Sequence, residues 1–505
     1  MARGAAAPAG RRRDATPARR GRPTLGRGDL QRRAHVGRAG RRDAQARAGP
    51  VRPSLARLLH RDDRRWLRHP AQVVVVAFAL AILVGTLILM LPVARTGPDG
   101  APFMVALFTS TSAVCVTGLV VVDTPSYWST FGEVTILALI QVGGFGIMTL
   151  ASLLGLLVFR RLGLRSRLTA AAETKATGLG DVRTVVKGVV VISLLFEAVT
   201  ALLLTLRFAW GYDEAWDRAA YLGVFHAVSA FNNAGFALYS DSLMGFVSDP
   251  WICLPIAFAV IAGGLGFPVW LELYRRFHPT WAWSMHTRMT LTVTAVLLVL
   301  GTVFVTASEW DNPATLGALS GPDRLLAGFF QSVMPRTAGF NSLDYGQMRE
   351  GTLLGTEILM FIGGGSAGTA GGIKVTTFIL LFFVIFAEVR GEQDVVAFGR
   401  RIDPRAIRQA LTVALLAVGA VVASTFALLQ LSAVSTEDAL FEVVSAFATV
   451  GLSTGITADL PTASQLVLTL LMFVGRLGPI TLVSALAVRE QTRLHRLPEG
   501  RPLIG

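Results

Sequence analysis

The 505-residue chain is 52% hydrophobic and only 16% charged, which excludes an average soluble domain and indicates an integral membrane protein. A formal net charge of +14 often indicates nucleic-acid binding, but residues 1–70 account for it with 20 Arg against 5 Asp. The remaining chain carries 27 Lys and Arg against 28 Asp and Glu. The basic charge therefore belongs to the amino-terminal segment alone.

Residues 1–70 are rich in Arg, Ala, Gly and Pro and lack the apolar side chains that a packed core requires. We predict a disordered, basic cytoplasmic tail. Three interpretations stay open: a neutral tail or over-extended translation start, contact with anionic lipids, and nucleic-acid binding. No apolar stretch of signal-peptide type precedes residue 71, so cleavage and secretion are not expected.

Eight apolar stretches follow the tail, and each is long enough to cross a bilayer as a helix, which takes about 20 residues. They are residues 71–94, 132–159, 186–206, 251–273, 289–308, 352–387, 409–436 and 464–488. We therefore predict an all-α integral membrane fold with eight transmembrane helices.

One motif lies between the two stretches of each pair. The four copies read LFTSTSAVCVTGL, VFHAVSAFNNAGF, FFQSVMPRTAGFN and LFEVVSAFATVGL, and they end around Gly118, Gly235, Gly339 and Gly451. A phenylalanine stands ten residues before each glycine, at Phe108, Phe225, Phe329 and Phe441. Four copies of one unit predict helix–pore loop–helix repeats around a pseudo-fourfold axis, and a ring of backbone at that axis suggests an ion pore. The repeats span 71–159, 160–277, 278–388 and 389–489, followed by a cytoplasmic carboxyl terminus at 490–505.

The distribution of Lys and Arg predicts the orientation of the chain. With the motifs on the outer face, the inner loops and carboxyl end hold 19 of these residues and the outer segments hold five. The positive-inside rule then places both termini in the cytoplasm.

A glycine-rich segment recurs in the second helix of each repeat: QVGGFGIMT, IAGGLGFPV, FIGGGSAGT and FVGRLGPIT. Most of these glycines are interpreted as positions where helices pack closely. Arg476 stands where the other copies have Gly144, Gly264 and Gly364. A guanidinium on a spanning helix is costly unless it faces water or a partner. We expect Arg476 to face the pore and oppose cation passage; the alternative is a buried pair with a carboxylate such as Glu197.

The third copy extends to GGGSAGTAGGIK over residues 363–374. Backbone that leaves a helix at membrane depth must be buried or line a cavity. We expect a flexible break that acts as a gate, with Lys374 anchoring it or facing the cytoplasmic vestibule. Val375 stands where a phosphate-binding loop needs Ser or Thr, so nucleotide binding is not expected. The gate residues are Gly363, Gly364, Gly365, Ser366, Gly368, Thr369, Gly371, Gly372 and Lys374.

Over residues 71–488 these segments resemble the Trk/Ktr potassium-uptake superfamily. The resemblance is carried by TSAVCVTGL, SAFNNAGF, RTAGFN, SAFATVGLSTG, GGIKVTTF and GRLGP. With eight expected spans, the chain is more similar to a membrane subunit of KtrB type than to the Trk branch, for which an extra amino-terminal pair of spans is expected. The resemblance implies gated potassium uptake in the plasma (inner) membrane by a homodimer on a cytoplasmic nucleotide-binding regulatory ring. The nucleotide would bind that partner, while this chain would hold K+ at its filter, no covalent cofactor and no nucleic acid.

The resemblance also implies which backbone carbonyls form the selectivity filter. They are those of Val116, Thr117, Gly118, Asn233, Ala234, Gly235, Thr337, Ala338, Gly339, Thr449, Val450 and Gly451. Such carbonyls replace part of the hydration shell of K+. In plant relatives a serine at the first glycine position accompanies sodium transport, so Gly118 favours K+.

The alternative function is a Na+- or H+-coupled secondary cation transporter. Such proteins usually carry midplane acids and paired inverted repeats, whereas these four copies run in one direction. The motifs HExxH and GxSxG are missing, and no enzyme is expected. Glu442 is expected to stiffen the fourth loop or pair with Arg336, and His226 to be a polar cap or outer-rim residue rather than a metal ligand.

Overall fold

The computed structural model describes residues 70–161, 182–275 and 283–478. These residues are mostly helical, with one antiparallel pair of two-residue strands, β1 (Val396–Ala397) and β2 (Arg400–Arg401). The expected tail, apart from Pro70, and the expected carboxyl terminus at 490–505 lie outside the described residues.

Each repeat contributes helices in a similar order. Repeat 1 holds α1 (Pro70–Leu89), α2 (Phe103–Val114), α3 (Thr124–Tyr127) and α4 (Thr130–Arg161); repeat 2 holds α5 (Val182–Gly211), α6 (Trp216–Phe231), α7 (Pro250–Leu265) and α8 (Phe267–Arg275). Repeat 3 holds α9 (Met285–Glu309), α10 (Gly321–Val333), α11 (Glu350–Phe361) and α12 (Val375–Val389); repeat 4 holds α13 (Pro404–Leu431), α14 (Thr436–Ala448) and α15 (Thr462–Leu477). Single 3₁₀ turns occupy Pro92–Ala94, Met244–Phe246, Leu316–Ala318, Tyr345–Gln347 and Thr457–Asp459.

Within the described ranges, five helices are long and apolar enough to cross a membrane by themselves: α1, α4, α5, α9 and α13. The chain is therefore a multi-pass membrane protein. The pair α7 and α8 makes a sixth candidate span with a bend of 94°. The expected stretch 352–387 is two helices, α11 and α12, separated by residues 362–374.

The bend between α7 and α8 was not predicted from the sequence. Gly266 ends α7 with φ +91°, a conformation that side-chain-bearing residues resist. Pro268 is the second residue of α8. Because proline lacks an N–H and fits the first turn of a helix, the pair Gly266 and Pro268 ends one helix and starts the next.

The four motif helices, α2, α6, α10 and α14, form the centre of the fold. Phe108, Phe225 and Phe441 are fully buried there, and in repeat 3 the fully buried ring is Phe330 rather than the expected Phe329. Each motif helix packs against the long helix that precedes it in its repeat, and α2, α6 and α14 also pack against the helix that follows, α4, α7 and α15, whereas α10 packs against α7 of repeat 2. The spacing from phenylalanine to glycine that the four motif copies share thus marks a buried aromatic ring in each motif helix. In repeat 3 the buried ring is one residue later.

The glycines of the second helices allow the close approach that this arrangement requires. A Cβ on Gly143, Gly263 or Gly475 would collide with the carbonyl oxygen of Val114, Phe231 or Phe447, near the end of the motif helix in the same repeat. In repeat 3 the corresponding Gly363 lies instead against the Gly371 carbonyl of the break. Helix packing therefore explains this glycine in repeats 1, 2 and 4. In repeat 3 the glycine packs against the break instead.

Candidate functional site

The loop after each motif helix has the same unusual backbone. A residue with positive φ stands two positions before each motif glycine, which also has positive φ. The pairs are Val116 (54°) and Gly118 (96°), Asn233 (60°) and Gly235 (70°), Thr337 (70°) and Gly339 (75°), and Thr449 (52°) and Gly451 (94°). Successive carbonyls alternate sides in a regular strand, whereas alternating backbone handedness turns them toward one side. Each loop can therefore direct several carbonyl oxygens at one axis.

The four loops close into a ring in chain order. A Cβ added to Gly118 would collide with the Ala234 carbonyl, and one on Gly235 would lie 2.8 Å from the Ala338 carbonyl oxygen. A Cβ on Gly339 would collide with the Val450 carbonyl, and one on Gly451 with the Thr117 carbonyl, which returns to the first repeat. The ring is so narrow that only glycine fits at these four positions.

Side-chain hydroxyls hold two of the loops to their motif helices. The backbone N–H of Gly118 donates to Ser112 Oγ over 3.0 Å, and that of Gly451 donates to Ser445 Oγ over 3.1 Å. The carboxyl ends of the motif helices also lie next to the ring, and the partial negative charge of a helix carboxyl end favours a cation.

A cavity of about 320 Å³ opens on one side of the ring. The four ring glycines lie in its lining together with three carboxylates, Asp123, Asp241 and Asp344. We call this cavity, on the side of the ring glycines, the vestibule. Its acidic residues give it the negative charge that attracts cations.

The break at 362–374 lies on the opposite side of the ring. Thr369 Oγ1 donates over 3.2 Å to the carbonyl of Phe231 and lies 2.8 Å from the Asn233 side-chain amide. The Gly371 N–H donates over 3.1 Å to Thr337 Oγ1. Asn233 and Thr337 each stand two residues before the glycine of their loop that lines the cavity, so the break lies against the loops of repeats 2 and 3 on the side away from the cavity.

Backbone hydrogen bonds tie the rest of the break to the bend between α7 and α8. Gly365 N–H donates to the Gly264 carbonyl over 2.7 Å, and Thr369 N–H donates to the Gly263 carbonyl over 3.1 Å. The Phe267 N–H in turn donates to the Ala367 carbonyl over 3.2 Å. Backbone that has left the helix is thus satisfied by protein, as membrane depth demands.

Among the described residues, three cationic side chains contact this break: Arg476, Lys374 and Arg336. Arg476, which is buried, donates through Nη1 to the carbonyl of Thr369, and Lys374 Nζ donates over 2.5 Å to the carbonyl of Ala370. Glu197 instead accepts hydrogen bonds from Gln141 Nε2 at 2.9 Å and Asn232 Nδ2 at 3.2 Å. In the described part of the chain Arg476 therefore contacts the break and not the carboxylate considered as its alternative partner.

The other polar residues singled out in the sequence, Arg336, Glu442 and His226, each have hydrogen-bond partners. Arg336 donates to the carbonyls of Thr294 (3.2 Å) and Gly363 (3.4 Å). Glu442 accepts from Ser453 and Thr457, so the two are not paired with each other in the described residues. His226 is fully buried between the Leu222 carbonyl and the Leu238 N–H, which excludes an outer-rim position.

A multi-pass helical protein whose four repeats meet at a ring of backbone carbonyls has the architecture of a membrane transport protein. Residues 54–496 match the family model described as TrkH, a cation transport protein, so the chain belongs to the TrkH family. It is a transporter and not an enzyme.

Extensive similarities link the chain to potassium-uptake proteins. The chain is 42% identical over 444 residues to Ktr system potassium uptake protein B of Bacillus subtilis, covering 87% of this chain and 98% of that protein. It is 38% identical over 435 residues to the protein of the same name from Vibrio alginolyticus, covering 86% and 94%. The crystal structure of the potassium transporter TrkH from Vibrio parahaemolyticus has the same fold, with TM-score 0.67, 20% identity and coverage of 85% and 88%.

Proposed function

We propose that this chain is the membrane subunit of a potassium-uptake system and conducts K+ through a gated pore. The observation that carries the proposal is the closed ring of Gly118, Gly235, Gly339 and Gly451, in which each glycine abuts a backbone carbonyl of the next repeat. The names of its relatives, potassium uptake proteins, support K+ as the transported ion.

The ring would act as the selectivity filter. K+ entering from the acidic vestibule would exchange hydration water for carbonyl oxygens of the four loops, and selectivity would depend on the number and field strength of those carbonyls. No ionised side chain is needed at the ring, because helix carboxyl ends and peptide dipoles supply the negative potential.

The break at 363–374 would act as the gate. It contacts the inner residues of the filter loops in repeats 2, 3 and 4 and contains six glycines, so another backbone conformation is sterically accessible to it. Arg476 would stabilise the closed state through its hydrogen bond to Thr369 and would add a positive charge that opposes cations below the filter.

The assembly follows from the family resemblance. The subunit would work as a homodimer on a cytoplasmic nucleotide-binding ring, in the plasma (inner) membrane with both termini cytoplasmic. The nucleotide would bind the ring and not this chain. The eight crossings would be α1, α4, α5, the bent pair α7 and α8, α9, the interrupted pair α11 and α12, α13, and a span beginning with α15.

The test is substitution of Gly118 by Ser with a matched glycine control. A Cβ at Gly118 meets a carbonyl of the ring, whereas a Cβ at Gly419 on α13 meets nothing within 4 Å. Purified variants in liposomes are compared for relative K+ and Na+ permeability. We expect Gly118→Ser to lower the K+ preference by about tenfold, the effect of roughly 1.4 kcal/mol, and Gly419→Ser to leave it unchanged. If folded Gly118→Ser kept the wild-type preference for K+ over Na+, the ring would not be the selectivity filter.

A further inference from the structure

The motif helices carry a polar residue at one equivalent position that the sequence repeat conceals. Equivalence is defined by the hydrogen bond that starts each filter loop. In repeats 1, 2 and 4 the middle residue of the loop donates to a carbonyl five residues back: Thr117 to Ser112, Ala234 to Ser229 and Val450 to Ser445. In repeat 3 Ala338 donates to Met334, four residues back. The third loop is therefore one residue shorter.

This difference corrects the alignment of the repeats. Counting three residues back from those carbonyls gives Thr109, His226, Gln331 and Glu442, which we call the brace residues. All four are polar, and all are at most 1% exposed. With Phe329 as the reference, the position in repeat 3 would be the apolar Phe330, so the sequence motif hides the shared polarity.

Three of the brace residues bind the chain that leaves the filter. His226 Nε2 accepts from the N–H of Leu238, three residues after Gly235, while Nδ1 lies 2.8 Å from the Leu222 carbonyl. Gln331, with its amide oriented so that the nitrogen faces Tyr345, accepts from the N–H of Ser342 (3.2 Å) and of Leu343 (2.9 Å). Ser342 likewise stands three residues after the glycine of its repeat.

Glu442 makes the corresponding contacts with a carboxylate. Its Oε1 accepts from Ser453 Oγ, and its Oε2 accepts from Thr457 Oγ1 over 2.9 Å. The two hydroxyls lie 2.9 Å apart, and both residues line the vestibule beside Gly451. In repeat 1, by contrast, Thr109 Oγ1 has no hydrogen-bond partner within the described ranges.

The chemistry of this position sets how firmly each loop is held. A carboxyl group has two oxygens that can each accept a hydrogen bond, so Glu442 holds two hydroxyls at once, and a buried polar group requires such partners. The fourth loop is thus fixed on both sides of Gly451: Ser445 holds the glycine N–H, and Glu442 holds the segment that follows. We propose that the brace residues are positioning residues for the filter and that Glu442 is the specificity-determining one.

This inference rests on the proposed function, because a filter must exist before it can be positioned. The test is Glu442→Gln, which keeps the size of the side chain but replaces one acceptor oxygen with an NH₂ group that cannot accept from a hydroxyl. We expect the K+ over Na+ permeability ratio in proteoliposomes to fall by about three- to tenfold, the effect of losing one ordinary hydrogen bond. A wild-type ratio in folded Glu442→Gln overturns the proposal.

A second buried carboxylate serves as the matched control. Glu309 is 0% exposed and accepts from Asn312 Nδ2 (2.6 Å), Thr315 Oγ1 (2.7 Å), Thr352 Oγ1 and the Arg349 N–H. These partners lie around the ends of α9 and α11, and none of them belongs to a filter loop. Glu309→Gln should therefore reduce the amount of folded protein without changing the permeability ratio. An equal change of the ratio in both variants would show a general effect of burying an unmatched amide and would also overturn the proposal.

Removing a partner instead of the carboxylate gives an independent measurement. Thr457→Val deletes the hydroxyl bound to Oε2 and should lower the ratio in the same direction as Glu442→Gln. If Glu442→Gln does not fold, Thr457→Val decides, and a wild-type ratio there overturns the proposal. Absence of K+ flux through the wild-type protein would instead be a failure of the proposed function, and that outcome is recognised before any variant is compared.

Discussion

Replacing Arg476 by Ala should increase K+ flux through the chain in the absence of a regulatory partner. The guanidinium donates to the Thr369 carbonyl in the middle of the break, while its Nε and Nη2 have no partner in the described residues. The hydrogen bond to Thr369 is therefore the polar contact that would be lost, and the charge opposing cations would be lost with it.

The size of the effect follows from that single contact. A hydrogen bond involving a charged group contributes about 1.5–3 kcal/mol, and about 1.4 kcal/mol changes an equilibrium tenfold. If the contact exists only in the closed state, its loss shifts the closed–open equilibrium by roughly ten- to a hundredfold toward open. Removal of the positive charge acts in the same direction, because it lowers the barrier for a cation.

The assay is K+ efflux from liposomes that contain equal amounts of folded protein. Arg324→Ala is the matched control, since Arg324 also donates to carbonyls, those of Leu319, Trp310 and Gly317, none of which belongs to the break or to a filter loop. Arg476→Lys should give an intermediate flux because it retains the charge with a different geometry. Wild-type flux in folded Arg476→Ala would refute both the barrier and the closed-state contact. Loss of folded protein without increased flux would indicate a purely structural arginine.

Three further predictions concern other parts of the chain. Deleting residues 365–371 removes the contacts of Thr369 and Gly371 with the filter loops and should give flux that no longer responds to the regulatory partner; preserved regulation would contradict the gate. Deleting residues 1–68 should leave K+ uptake by cells unchanged, and a loss of uptake would assign the tail a function. Gly143→Val inserts a side chain against the Val114 carbonyl and should lower the unfolding temperature in detergent, since overpacking costs about 1–3 kcal/mol; Gly419→Val is the control, and equal melting of the two variants would exclude tight packing at Gly143.

The membrane class, the repeat and the positions of the four glycines could be predicted from the sequence because each is a local pattern. The one-residue shift in repeat 3 could not, since Phe329 and Phe330 are adjacent and either ring satisfies the motif. The full burial of Phe330 and the hydrogen bond from Ala338 to Met334 distinguish them. A pattern of residue types records spacing along the chain, whereas equivalence in the filter depends on where the helix ends.

The hydrogen-bond partners of buried polar groups could likewise not be predicted from the sequence. A pair between Glu442 and Arg336 satisfied charge balance, but the carboxylate is held by hydroxyls and the guanidinium by carbonyls. Such neutral partners are common residue types and carry no sequence signal. The break at 363–374, by contrast, was predictable because its glycines are incompatible with a regular helix.

Ion flux without a coupling gradient tests the central claim most directly. The purified chain and its variant lacking residues 365–371 are reconstituted in liposomes loaded with K+, with no gradient of Na+ or H+, and K+ efflux is compared with Na+ efflux from matched liposomes. A gated pore predicts that K+ leaves down its own gradient, faster from the variant, and faster than Na+ in both proteins. K+ movement that requires an opposing Na+ or H+ gradient, in the variant as in the wild type, would contradict the pore and favour a coupled transporter.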